Sequence, residues 1–296
     1  MRRFLIILLA LLLISCAAPQ ELIVGALKGP SSMGMVETEA AKTMQLLNSP
    51  DEIIGKITSG EADVAMLPLN MASILYNKTQ GEIRLLAINT IGNLYMMGEA
   101  LEDVAQLKGK RILSAGQNAS PMYVLELLLK DVDVQIEYLP THSDVVAAAS
   151  ENKADYYVLP EPFVTLFKSK VGGEVALDLA ELYEEKTGFP LTMGAVVTTE
   201  EKLKTKGKEI RAFLKDYKES VGKVLADPQG ASELIEKFGI IEKADLARQS
   251  ISGAGLVFES PKDLSGAIQA YFELLMENNP KALGGSLPGE DFYADF

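Results

Sequence analysis

The chain has 296 residues, 48% apolar and 7% aromatic, with a formal charge of −13, one Cys and one His. Such a length supports two lobes with their own cores, and the acidic balance, with no basic run longer than Arg2-Arg3, argues against nucleic acid or an anionic membrane as main partner. One Cys and one His cannot furnish a tetrahedral zinc site, His142 has no Gly-x-Ser-x-Gly elbow to serve, and neither Gly-rich phosphate motif occurs, so no metal or cofactor is expected.

Met1-Arg2-Arg3 precedes an apolar run over residues 4–14, well short of the ~20 residues that span a bilayer, which reads as a secretory signal rather than a permanent membrane helix. Leu13-Ile14-Ser15-Cys16 then resembles the lipobox of bacterial lipoproteins. That resemblance implies a signal peptide over 1–15, lipidation at Cys16 and a linker over 16–20; a thiol inside an ordinary signal is the alternative. An exported body with no other thiol forms no internal disulfide.

Residues 20–28 read as a first strand and 29–32 as its loop, with a helix predicted over 35–48 from Met35, Val36, Ala40, Met44 and Leu47. A helix over 50–58 opens on Pro50-Asp51-Glu52, and a strand over 64–67 leads through Pro68 into a helix over 70–76. The strand over 82–88 breaks at Thr90-Ile91-Gly92-Asn93, which we read as a first crossing between lobes. The second part repeats the plan. A strand over 110–114 is followed by a helix over 121–130, a strand over 132–138, a helix over 145–152, a strand over 156–159, a helix begun by Glu161-Pro162 and a short strand over 174–177. Residues 191–198 form the return strand, and four helices without a strand among them are predicted from Thr199 onward, packing as a cover on the first lobe. The tail 290–296 reads as loosely held.

Two internal repeats support this division. Ala62-Asp63-x-x-x-Leu67-Pro68 recurs as Ala154-Asp155-x-x-x-Leu159-Pro160, and Gly29 to Met35 shares its Gly-x5-Met frame with Gly116 to Met122. Each frame follows a strand and opens a helix, whose first-turn N–H groups face the space beyond the strand end. The expected lobes are 21–92 plus 194–296 and 93–193, with a cleft between them.

Leu107-Lys108-Gly109-Lys110 before the second lobe, Ala154-Asp155 with Leu159-Pro160-Glu161-Pro162, the lipobox and the helical last third together resemble the substrate-binding proteins of ABC importers of the nitrate/sulfonate/taurine and thiamine-pyrimidine type. The resemblance spans the mature chain. It implies an α/β, two-lobed type II periplasmic-binding-protein fold with two interlobe crossings, not an enzyme: a monomeric, membrane-anchored component facing the periplasm or cell exterior. Such a component captures a small organic solute, anionic or heterocyclic, and passes it to a membrane permease.

Family positions carry over to the first loop, Lys28, Gly29, Pro30, Ser31, Ser32 and Met33; to Leu67 and Asn70; and to Thr90, Gly92 and Asn93 at the crossing. In the second lobe they fall on Gly116, Asn118, Ala119, Ser120 and Glu161, and at the return crossing on Phe189 and Thr192. Lys28 reads either as a solvated loop charge or as an anion partner, and Glu161 either as a cap of its own helix or as a ligand contact. Tyr95, Tyr156, Tyr157 and Phe163 read as core, and His142 as a surface residue beside a helix cap. The chain departs from the family in having no Trp, no Cys- or His-rich motif and no arginine in these loops, which puts pyrimidine synthesis in doubt and points to a mixed polar and apolar pocket. The competing classes are an enzyme on the same fold, of the kind acting on chorismate-derived or futalosine-type compounds in menaquinone synthesis, and a surface lipoprotein without transport role.

Overall fold

A computed structural model describes residues 21–117 and 119–294; the signal segment, Cys16 and Asn118 lie outside them. The first part runs β1 (Val24–Leu27), α1 (Pro30–Met33), β2 (Gln45–Leu47), α2 (Pro50–Thr58), β3 (Val64–Pro68), α3 (Leu69–Lys78) and β4 (Ile83–Ile91). The second runs β5 (Tyr95–Gly98), β6 (Arg111–Ala115), α4 (Ser120–Leu128), β7 (Gln135–Leu139), α5 (His142–Ser150), β8 (Tyr156–Leu159), α6 (Phe163–Lys170), β9 (Glu174–Asp178) and α7 (Leu179–Thr187). The last part holds β10 (Thr192–Thr199), α8 (Glu200–Ala226), α9 (Pro228–Lys237), α10 (Ala244–Ser250), β11 (Leu256–Glu259) and α11 (Ser265–Asn278).

The strands form two sheets, in the orders β11-β4-β10-β3-β1-β2 and β7-β6-β8-β5-β9. In the first, β1 lies parallel between β2 and β3, while β10 runs antiparallel between β3 and β4. The second copies this: β6 is parallel to β7 and β8, and β5 runs antiparallel between β8 and β9. In each sheet the antiparallel strand inserted between two others, β10 or β5, is the one that has just crossed from the other sheet.

The repeated Ala-Asp acquires a physical reason here. Asp63 Oδ2 accepts from Ile23 N at 2.9 Å, just before β1, and Asp155 Oδ2 accepts from Arg111 N at 2.8 Å, at the start of β6. Each aspartate pairs the first amide of the neighbouring parallel strand, which the ladder leaves open, and so sets the register of both. The Leu-Pro halves then carry the chain out at the opposite ends of β3 and β8.

Four expectations are corrected. No helix occupies 35–48: Thr38 donates to Met35 O (2.8 Å) and accepts from Ala41 N (3.1 Å), which starts a 3₁₀ turn at Glu39–Lys42, and Gln45–Leu47 pairs with β1 as an edge strand. Helix α7 went unpredicted, although Asp178 caps it by accepting from Ala180 N and Glu181 N, and Gly188 (φ 76°) ends it. Strand β11 lies among the last helices and pairs antiparallel with β4. The tail is held as far as it is described, to Ala294: Phe292 is buried, Tyr76 donates to Asp291 at 2.6 Å, and Ala294 N donates to Leu85 O at 3.0 Å.

One apolar cluster joins β1, β3, β4 and β10 to α8, α9 and α10, so these helices do cover the first sheet. Another runs through both sheets, linking Leu67, Leu85 and Phe272 with Ile112, Tyr123 and Val158. The chain crosses between sheets at Gly92 (φ 72°) and Asn93 (φ 61°) and returns through residues 188–191; Gly92 N donates to Leu191 O at 2.8 Å, tying the crossings together.

Candidate functional site

At the carboxyl ends of β1, β3 and β8 lies a cleft of about 250 Å³. The first sheet's part contributes the β1–α1 loop (Leu27, Lys28, Gly29, Pro30, Ser31), Leu67 and Pro68 after β3, Thr90 of β4, and Met193 and Gly194 of β10. Asn93 comes from the crossing, and facing it stand His142 of α5 and the β8–α6 loop, Pro160, Glu161, Pro162 and Phe163.

Each wall is held from behind. Ser32 sits beneath the first loop, where its Oγ accepts from Gly29 N (3.2 Å) and donates to Gly29 O (3.0 Å), while Met33 is buried in the core below. Neither lines the cleft. Gly194 has no room for a side chain, because a Cβ there would stand 2.3 Å from Asn89 Oδ1 and 2.8 Å from Thr90 Oγ1. Asn93 fixes the opposite wall: its Oδ1 accepts from Glu161 N at 2.5 Å and its Nδ2 donates to Glu161 O at 3.5 Å. The Glu161-Pro162 peptide bond is cis.

Burial pushes the Glu161 carboxyl above its ordinary range, opposed by Thr165, whose N (3.0 Å) and Oγ1 (2.9 Å) donate to it, and by the Lys168 charge. Glu161 thus caps its own helix, one of the two roles the sequence left open. His142 does follow a helix cap, Thr141, but it is half-buried rather than freely exposed. Its ring stands 5.1 Å from that of Phe163, burial pushes its pKa down to about 4, and its Nδ1 is buried without a hydrogen-bond partner. The imidazole is therefore neutral near pH 7. Lys28 is exposed at the rim and joins no ion pair among the described residues.

The structure brings together Lys28, Gly29, Pro30, Ser31, Leu67, Thr90, Asn93 and Glu161. Others stand elsewhere. Asn70 is buried, with Nδ2 3.5 Å from Ala282 O; Gly92 serves the crossing; Phe189 packs on Gly266; and Thr192 is buried at the start of β10. Gly116, Ala119 and Ser120 lead into α4, where Ser120 Oγ lies 2.6 Å from Tyr271 Oη of α11, so Ser120 sits in a buried seam between the lobes. Asn118 lies outside the described residues. Sequence reasoning missed Leu27, His142, Pro160, Pro162, Phe163, Met193 and Gly194. The capping pattern Thr141-x-x-Asp144 was a usable signal, because it starts α5 at the carboxyl end of β7, on the same side of the sheet as the β8–α6 loop.

Chemically the cleft is an apolar box with one ammonium at its rim, a neutral imidazole and a carboxyl engaged by its own helix. No group of three or more His, Cys, Asp or Glu that could hold a metal ion occurs among the described residues. No helix among them is long and apolar enough to cross a membrane.

The model of the menaquinone biosynthesis family matches residues 23–252, which takes in every strand of both sheets except β11 and every residue of the cleft. The chain belongs to this family. No curated protein sequence matches it. Among solved structures, this menaquinone biosynthesis family chain is similar to an ABC transporter from Parabacteroides distasonis, at 25% identity over 93% of this chain and 98% of the other, with a TM-score of 0.80. It is also similar to the periplasmic aliphatic sulphonate-binding protein of Escherichia coli, at 17% identity over 94% and 96% with a TM-score of 0.72. A third is the ligand-binding component of an ABC-type import system from Staphylococcus aureus, at 18% over 93% and 96% with a TM-score of 0.71. These likenesses establish the two-lobed periplasmic-binding-protein fold for this family member.

Proposed function

We propose that the chain is the extracytoplasmic solute-binding component of an ABC importer, which captures a small organic solute between its lobes and delivers it to a membrane permease. The observation that carries this reading is the cleft: two facing walls, built at strand ends by both halves of a repeated fold, with no pair of titratable groups free to exchange a proton. Glu161 is committed to Thr165, and His142 Nδ1 has no hydrogen-bond partner among the described residues. A solute touching both walls stabilises the closed arrangement by its differential affinity for it.

The reading includes a lipid anchor at Cys16 after removal of 1–15, a monomeric body facing the periplasm or cell exterior, and lobes at 21–92 plus 194–296 and 93–193. An enzymatic role is the second reading, favoured by the family's description. Native mass spectrometry of the undenatured protein, followed by thermal-shift screening of sulfonates, pyrimidines, flavins, purines and amino acids, separates the two. A binding protein gives back its solute unchanged and is stabilised by RT ln(1 + [L]/Kd); conversion of a bound compound to a new mass overturns the importer reading.

A further inference from the structure

A linear scan finds no basic run in the mature chain, yet helix α8 hides a basic stripe. Lys208, Arg211, Lys215 and Lys218 are spaced three, four and three residues apart. At about 100° per residue they fall within an arc of roughly 80°, over roughly 15 Å of helix. All four are exposed and none joins an ion pair among the described residues, in contrast to Lys204, which meets Glu200 at 2.8 Å. The opposite face of α8 is buried through Ile210, Phe213, Leu214 and Tyr217. Arg211, Lys215 and Lys218 also line a groove of about 430 Å³ with Phe258, Leu214, Glu259 and Asp263.

The start of the described chain lies beside this helix. Ile23 N donates to Asp63 Oδ2, and the same carboxylate meets Lys206 at 2.8 Å and Lys202 at 2.9 Å, both in the first turns of α8. The seven residues from Cys16 to Ile23 reach no further than about 25 Å when extended. A tether at Cys16 therefore keeps this side of the molecule near the membrane. No residue of α8 lines the cleft, so contact along α8 leaves the solute site open.

We propose that the stripe is a membrane-docking surface, with Lys208, Arg211, Lys215 and Lys218 laid against anionic lipid head groups; this rests on the anchoring reading above. The acidic charge elsewhere on the protein does not cancel it, because exposed charges are screened beyond about 8 Å at physiological salt. Each basic side chain at an anionic surface strengthens binding by about fivefold at physiological salt.

The test is the initial rate of association of the full chain with supported bilayers of phosphatidylcholine alone, or of equal parts phosphatidylcholine and phosphatidylglycerol. The wild type should associate at least tenfold faster with the anionic bilayer at physiological salt and lose that advantage at about 1 M salt, where charges are screened beyond about 3 Å. K208Q/R211Q/K215Q/K218Q should associate equally with both, while a matched control on the other lobe, K108Q/K130Q/K153Q/K170Q, keeps the preference. Circular dichroism checks that both variants fold. No preference in the wild type, or equal loss in both variants, overturns the proposal. Binding to the anionic bilayer with none to phosphatidylcholine would leave the stripe standing and count against the anchor.

Discussion

Replacing Asn93 tests how the cleft wall is held. Its backbone adopts φ 61°, and its side chain accepts from the buried Glu161 N at 2.5 Å. Asn93→Gly keeps the backbone relaxed but leaves Glu161 N without a partner, at a cost of about 1–3 kcal/mol. Asn93→Ala loses the same bond and adds about 1 kcal/mol for a Cβ in the left-handed region, so it should be destabilised by about 2–4 kcal/mol. Equilibrium urea unfolding measures both, with the denaturant slope unchanged if only stability has moved. The order wild type, Gly, Ala is the signature of a residue that serves through its side chain and its backbone together. If Ala is no less stable than Gly, the backbone is not strained; if both match the wild type, the hydrogen bond to Glu161 does no work. Solute retention should weaken in both, since the β8–α6 loop loses its tie to the crossing.

Asp63→Asn should destabilise the fold by about 3 kcal/mol, because Lys202 and Lys206 lose their counter-charge. Burial alone would raise the Asp63 pKa, but the Ile23 amide and the two lysines outweigh it and hold it below the ordinary carboxylate range. Its stabilisation is thus present above about pH 4 and lost as pH falls through the folded-state value; an acid-unfolding curve of the variant that keeps the wild-type slope there would contradict this. His142 has the same sign: its folded-state pKa of about 4 lies below the ordinary 6.5, so the unfolded state takes up the proton first and stability declines as pH falls from 6.5 towards 4. His142→Phe should remove that decline in thermal melts, and an unchanged pH profile would show that the ring is not desolvated. Ser120→Ala and Tyr271→Phe should each loosen the interlobe seam, with a coupling of about 1 kcal/mol in a double-mutant cycle; strict additivity would mean that their 2.6 Å contact contributes nothing.

The amino-acid sequence alone determined the repeat, the two crossings and most elements, because each rests on local chemistry. Ala-Asp-x-x-x-Leu-Pro needs only an aspartate placed to meet a strand's first amide and a proline to release the chain at the far end. Half of the lining of the candidate cleft was legible for the same reason, since Lys28 to Ser31, Leu67 and Glu161 follow strand ends within their own units. Tertiary structure decided the rest. Residues 35–48 have a helical apolar pattern, but an open edge beside β1 takes Gln45–Leu47 as a strand, and the pattern holds no information about that edge. Residues 116–122 share the sequence frame of 29–35, yet Ser120 meets Tyr271 rather than the cleft, because α11, about 150 residues further on, fills the place across from it. The stripe on α8 becomes a surface only because the opposite face of that helix is buried, and Ile23, near the start of the described residues, lies at its foot. Periodicity reports which side of an element is apolar; which partner lies across from that side depends on the packing of distant segments.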